Sequence, residues 1–161
     1  MGSVVSLDEL ASIRNSLRSQ GKRVVFTNGC FDILHRGHVE FLNQAKRFGD
    51  VLVVGLNSDA SMRKIKGKNR PIVPEEDRAF ILSNLNAADY VCIFEDETPL
   101  GMITALLPDV LVKGADWGIE EIVGKDVVEA AGGLVRSVPL VPNRSTTDIV
   151  TKIVKDFGDT G

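Results

Sequence analysis

The chain holds two histidines, His35 and His38, and both stand in one four-residue motif, His35-Arg36-Gly37-His38. Before them runs Thr27-Asn28-Gly29-Cys30-Phe31-Asp32, which follows the apolar run Val24-Val25-Phe26. After them the apolar residues of 39–48 recur at helical spacing. A strand, a tight turn and a helix start in that order suit an anion. The first N–H groups of a helix lack intrahelical partners, and the peptide dipoles favour negative charge there. Two imidazoles three residues apart can grip one phosphate chain if the turn is helical. Gly37 leaves the backbone open to a ligand. Paired histidines also bind zinc, but no Cys or acidic residue stands at zinc-finger spacing with them, so no protein metal site is expected.

Three further clusters carry polar chemistry. Arg63, Lys64, Lys66, Lys68 and Arg70 put five cations within eight residues, either a solvated face or a loop that closes over phosphates. Lys113-Gly114-Ala115-Asp116-Trp117 contains the single tryptophan, placed after a strand end where it can cover a base or sugar or pack in the core. Arg144-Ser145-Thr146-Thr147 puts three hydroxyls at a helix start, where capping requires one, and suggests a second phosphate contact. Asp32 is acidic beside an anion site, which fits a role in orienting a histidine.

The elements that must hold these clusters alternate. Ser6 and Glu9 form a capping box, and Leu7, Leu10, Ile13 and Leu17 mark a helix over 6–19. Strands are expected over 23–27, 51–57, 90–94, 110–113 and 134–138, the second of them apolar throughout as in a sheet covered on both faces. Helices are expected after the histidine motif as far as Gly49, in a short piece capped by Ser58 and Asp59, and over 75–85, 99–107, 125–131 and 147–157. This is an α/β chain with one Rossmann-like domain over 1–161, an N-terminal helix over 6–19 and a core over 22–157. In such sheets ligands bind beyond the carboxyl ends of the strands. That rule picks out the histidine turn, Asn57 to Asp59, Phe94 to Thr98 and Lys113 to Trp117.

With 161 residues, 43% apolar and 25% charged, the chain can bury one sizeable core. A net charge of -3 and a pI near 5.4 argue against broad nucleic-acid binding. No apolar run reaches the roughly 18 residues of a membrane span, and the start lacks a signal peptide, so no membrane contact and a cytoplasmic location are expected. Met1-Gly2-Ser3 with Ser6 matches a myristoylation pattern only formally. Cys30 and Cys92 are read as reduced thiols. Self-association into a homo-oligomer is left open by the sequence.

Gly29-Cys30-Phe31-Asp32, two residues, then His35-Arg36-Gly37-His38 resembles the HxGH signature of the cytidylyltransferase-like nucleotidyltransferase superfamily. Along most of its length, notably Lys113 to Val128 and Ser145 to Thr147, the chain resembles the heptose 1-phosphate adenylyltransferases of lipopolysaccharide precursor synthesis. Many bacteria fuse that domain behind a sugar kinase. These enzymes frequently have Tyr where Trp117 stands.

The resemblance implies that AMP passes from ATP to D-glycero-β-D-manno-heptose 1-phosphate, with His35, His38 and Lys66 as the catalytic donors. It implies nucleotide contacts at Gly29, Cys30, Phe31, Asp32, Gly37, His38, Gly114, Asp116, Trp117, Ser145, Thr146 and Thr147. Acceptor contacts would fall on Asn57, Asp59, Lys64, Arg78 and Lys113, although a helix salt bridge explains Arg78 nearly as well. Mg2+ would be bound mainly through ATP phosphates, and a separate sugar kinase would supply the acceptor. A cytidylyltransferase acting on glycerol 3-phosphate and a non-catalytic nucleotide-binding module are the alternatives.

Overall fold

A computed structural model of the chain describes residues 1–116 and 118–158. Its elements are β1 (Ser3–Val4), α1 (Leu7–Ser19), β2 (Val24–Gly29), α2 (Arg36–Lys46), β3 (Val51–Asn57), α3 (Asp59–Lys66) and α4 (Glu75–Ser83). They continue with β4 (Tyr90–Phe94), α5 (Leu100–Leu106), β5 (Val110–Gly114), a 3-10 turn (Ile119–Glu121), α6 (Lys125–Ala130), β6 (Leu134–Val138) and α7 (Thr146–Phe157). The six strands form one parallel sheet in the order β1-β4-β3-β2-β5-β6.

Strand alternation splits the core in two. Val25, Val54, Leu56, Val91 and Val112 face α2 and α4, where they meet Phe41, Leu42, Ala79 and Leu82. Val24, Phe26, Val53, Cys92 and Leu111 face the other way and meet Leu10 of α1, Met102, Ile103 and Leu106 of α5 and Val128 of α6. Both faces of the central strands are therefore dry, which is why Val51 to Leu56 reads as an unbroken apolar run.

The chain leaves β2 toward β3 on one side, whereas β5 flanks β2 on the other, so the strand order reverses between β2 and β5. Their ladder runs only through Val25 beside Val110 and Phe26 beside Leu111. Beyond it the strands part, and their carboxyl ends open a crevice, the usual place for a ligand in such a sheet.

The elements follow the sequence expectation with local shifts. Ser6 caps α1 through the capping box with Glu9. The two-residue β1 at the sheet edge, paired with β4, carries no sequence signal of its own. The strand before the histidine turn runs two residues further than expected, to Gly29. Arg63, Lys64 and Lys66 were assigned to a loop, but they form the last turn of α3, where cations favour the helix dipole.

Candidate active site

A cleft of about 700 Å3 lies over the carboxyl ends of the strands, a volume suited to a nucleotide-sized ligand. Its walls come from the turn after β2, the end of α3, the segments before α5 and after β5, and the start of α7. Among the residues expected from sequence, Gly29, Cys30, Phe31, Asp32, His35, Gly37, His38, Asn57, Lys66, Lys113, Gly114, Asp116, Ser145, Thr146 and Thr147 line it. Trp117 lies outside the described residues.

The histidine turn is built under tension. Phe31 and Ile33 adopt φ of 46° and 40°, a left-handed backbone that costs non-glycine residues roughly 1–3 kcal/mol and concentrates at functional sites. Its helix begins one residue later than a shared helical face would need, because His35 is the N-cap of α2 rather than a helical residue. Nδ1 of His35 accepts from the Gly37 N–H at 3.1 Å, so its proton sits on Nε2. The two imidazoles stack with centroids 3.9 Å apart, and Phe31 meets His38 edge-on. Gly37 makes room for the histidine: a Cβ there would come within 2.9 Å of the His35 ring.

Burial, with His35 adding to it, pushes the His38 pKa down to about 4, so the imidazole is neutral at pH 7. Nδ1 of His38 is buried without a partner, a state that costs least when it carries no proton. Nε2–H is then the donor. Burial and then the Arg144 cation lower the His35 pKa as well. Both imidazoles are thus neutral at pH 7, each with an Nε2–H available to donate.

Asp32 does not orient a histidine, as its position suggested. Its carboxylate accepts from Arg70 Nη1 at 2.8 Å, from the Ile72 N–H at 3.1 Å and from the Val73 N–H at 2.9 Å. Burial alone would raise its pKa, yet these hydrogen bonds and the Arg70 cation outweigh burial and hold it below the ordinary value. A carboxylate beside an anion site is tolerable because it is already spent anchoring the loop that follows α3.

Three of the five expected acceptor contacts are corrected. Arg78 is 1% exposed and sits behind the cleft wall, not in it. Its guanidinium donates to the carbonyls of Val73 at 2.8 Å, Cys30 at 2.7 Å and Asn57 at 2.9 Å, and to Asp59 Oδ1 at 2.6 Å. It ties α4 to the ends of β2 and β3, and the same bond engages Asp59. Lys64 is exposed on α3 and does not line the cleft, whereas Lys66 does.

The hydroxyls before α7 divide their work. Ser145 Oγ caps the helix by accepting from the Asp148 N–H at 3.0 Å, and Thr146 Oγ1 donates to the Asp32 carbonyl at 2.7 Å. Thr147 keeps its hydroxyl clear of hydrogen bonds to described residues and lines the cleft. Arg144, next to His35, completes this rim.

Sequence reasoning missed Leu140 and Val141, and it took in Arg70, Glu97, Thr98, Glu121 and Arg144 only within wider stretches. Asn28, which also lines the cleft, stood beside the histidine motif without a role of its own. Lys113 makes no hydrogen bond or ion pair with a described residue. Burial drives its pKa down to about 8, against the pull of Asp116.

A cytidylyltransferase-like family model matches residues 26–156, which takes in every wall of this cleft. The chain belongs to the cytidylyltransferase-like family. It is 54% identical over 156 residues to the bifunctional protein HldE of Geobacter sulfurreducens, covering 97% of this chain and 32% of that protein. It is 51% identical over 150 residues to HldE of Wolinella succinogenes, covering 93% and 31%. The chain therefore spans about a third of the curated relatives it matches. A solved lipopolysaccharide core biosynthesis protein from Thermoplasma volcanium superposes with TM-score 0.62 at 30% identity, covering 75% of this chain and 98% of that one. Pantoate-beta-alanine ligase of Francisella tularensis shares the fold at TM-score 0.58 and 16% identity.

No described helix is long and apolar enough to cross a membrane. Among the described residues no three or more His, Cys, Asp or Glu gather to hold a metal ion.

Proposed function

We propose that the chain transfers the adenylyl group of ATP to D-glycero-β-D-manno-heptose 1-phosphate, giving ADP-heptose and pyrophosphate for lipopolysaccharide core or related glycan synthesis in the cytoplasm. One observation carries this reading: neutral histidine donors at the N-terminus of α2 stand beside the hydroxyl-bearing N-terminus of α7 on one side of a single cleft. The HldE relatives support the choice of substrates. They are named bifunctional and are three times as long, so this span would supply one of two functions, and a separate sugar kinase would make the acceptor.

In the reaction, an acceptor phosphate oxygen attacks the α-phosphorus in line, and the bond to the bridging oxygen breaks as pyrophosphate leaves with the electron pair. The attacking oxygen is ionised at neutral pH, so no general base is required. Negative charge grows on the leaving group and the α-phosphate, and preorganised donors there supply most of the rate. His38 and His35 contribute Nε2–H groups, Thr147 its hydroxyl, and Arg144 and Lys66 their charges. Mg2+ would be held by nucleotide oxygens and waters and would offset phosphate charge, while Asp32 stays committed to Arg70.

The test is pyrophosphate release with each nucleoside triphosphate against a panel of sugar 1-phosphates and glycerol 3-phosphate. ATP with the heptose phosphate should lead. A higher kcat/KM for CTP with glycerol 3-phosphate would replace this reading with a cytidylyltransferase, and inertness toward every pair would leave a nucleotide-binding module. Phosphorylation of heptose 7-phosphate by this chain alone would contradict the need for a separate kinase.

A further inference from the structure

Asn28 is the penultimate residue of β2, beside the parting of β2 and β5, and its side chain makes no hydrogen bond with a described residue. Its Oδ1 is fully buried all the same. A buried amide oxygen without a donor is costly, and native proteins keep one where something else fills the need.

The sheet explains where this amide points. Phe26 packs toward α5, so Asn28, two residues on, lies on that same face. Its Cβ stands 3.2 Å from where a Gly55 side chain would begin, and the Met102 sulfur of α5 stands equally close to that point. Leu111 also faces α5, which puts Lys113 on this side, one strand across the opened seam from Asn28. Two groups without partners, an amide and an ammonium, thus share the α5 side of the cleft. The histidines and α7 lie on the side of α2.

Taking the proposed reaction as its basis, we infer that Asn28 sets acceptor specificity, its amide oxygen accepting a hydrogen bond from the sugar hydroxyl next to the phosphorylated carbon while Lys113 holds the phosphate. The spacing suits this pair. Neighbouring strands lie about 4.8 Å apart and these two are beginning to diverge, which is the reach from a phosphate to a hydroxyl on the adjoining carbon. Amide and ammonium together match a phosphorylated polyol. A triphosphate would draw further cations to this side instead.

The experiment compares wild type, Asn28→Ala and Asn28→Ser with ATP, magnesium and either heptose 1-phosphate or its 2-deoxy analogue. Asn28→Ser serves if the alanine variant does not fold. Wild type should use the 2-deoxy acceptor about 10- to 100-fold less well, because the buried oxygen stays unpaired against it. Either variant should raise KM for the full acceptor by about that factor, leave KM for ATP within about twofold, and lose most of the preference. A variant that keeps the wild-type preference overturns the assignment. A rise in KM for ATP equal to that for the acceptor also overturns it, by placing Asn28 with the nucleotide. Wild type that turns over no sugar 1-phosphate with ATP refutes the proposed reaction itself, and this inference with it.

Discussion

The two halves of the cleft are built by opposite strategies. On the α2 side, donors come from contiguous sequence and support one another: His35 is held by Gly37, Ser145 by Asp148, and Thr146 by the carbonyl of Asp32. On the α5 side, Asn28 and Lys113 come singly from separate strands, and neither side chain makes a hydrogen bond or ion pair with a described residue. The first half is preorganised for charge that appears whatever the acceptor is. The second holds unsatisfied groups whose partner must arrive with the substrate, and that makes it the half able to discriminate.

The strongest way to break this contrast is to cut the tie behind the cleft wall. Arg78→Ala should cost about 3–5 kcal/mol in equilibrium unfolding, because it strands three carbonyls and the Asp59 carboxylate. A loss below about 1 kcal/mol would mean that the halves are positioned without it.

His38→Ala probes the first half alone. Turnover should fall about 10²- to 10³-fold with KM for the acceptor little changed, as for loss of one transition-state donor. Since the His38 pKa is near 4, the free enzyme should show no inflection from it above about pH 5. Retention of rate in the alanine variant would move the chemistry away from this turn.

Lys113 sharpens the second half through pH. A lysine with its pKa near 8 is charged below that value and neutral above it, so KM for the acceptor should rise about tenfold between pH 7 and 9. Lys113→Arg, which stays charged, should flatten the profile. An equal pH response of the arginine variant would assign the titration elsewhere.

The smallest effect concerns His35, which has two duties. Because it caps α2, His35→Ala should lose about 1 kcal/mol of stability in addition to rate, whereas His35→Asn should recover the cap. Equal melting of both variants would deny the capping role.

This division also explains what could be read from the chain. Alternating apolar runs and helix caps made the α/β sheet legible, and the motif around His35 and His38 marked the first half because its residues are neighbours in sequence. Asn28 could not be weighed, since its significance lies in what stands beside it on β3 and β5. Arg78 misled for the same reason: a cation near a phosphate motif resembles a ligand until its partners turn out to be backbone carbonyls. Asp32 looked like a helper of histidine because the loop from Arg70 to Val73 reaches it from some forty positions away.

The Thr146 hydroxyl donates to the carbonyl of Asp32 across 114 positions of chain. Closing so long a loop directly is entropically slow, but once β5 and β6 have joined the sheet only the short segment from Pro139 to Ser145 remains to be ordered. No residue of α7 is buried, so little apolar surface drives its docking. During refolding the sheet is therefore expected to form first and the rim of α7 to settle onto it afterwards. Regain of activity should then lag behind regain of the circular-dichroism signal, so that a chain that already looks folded is still inert.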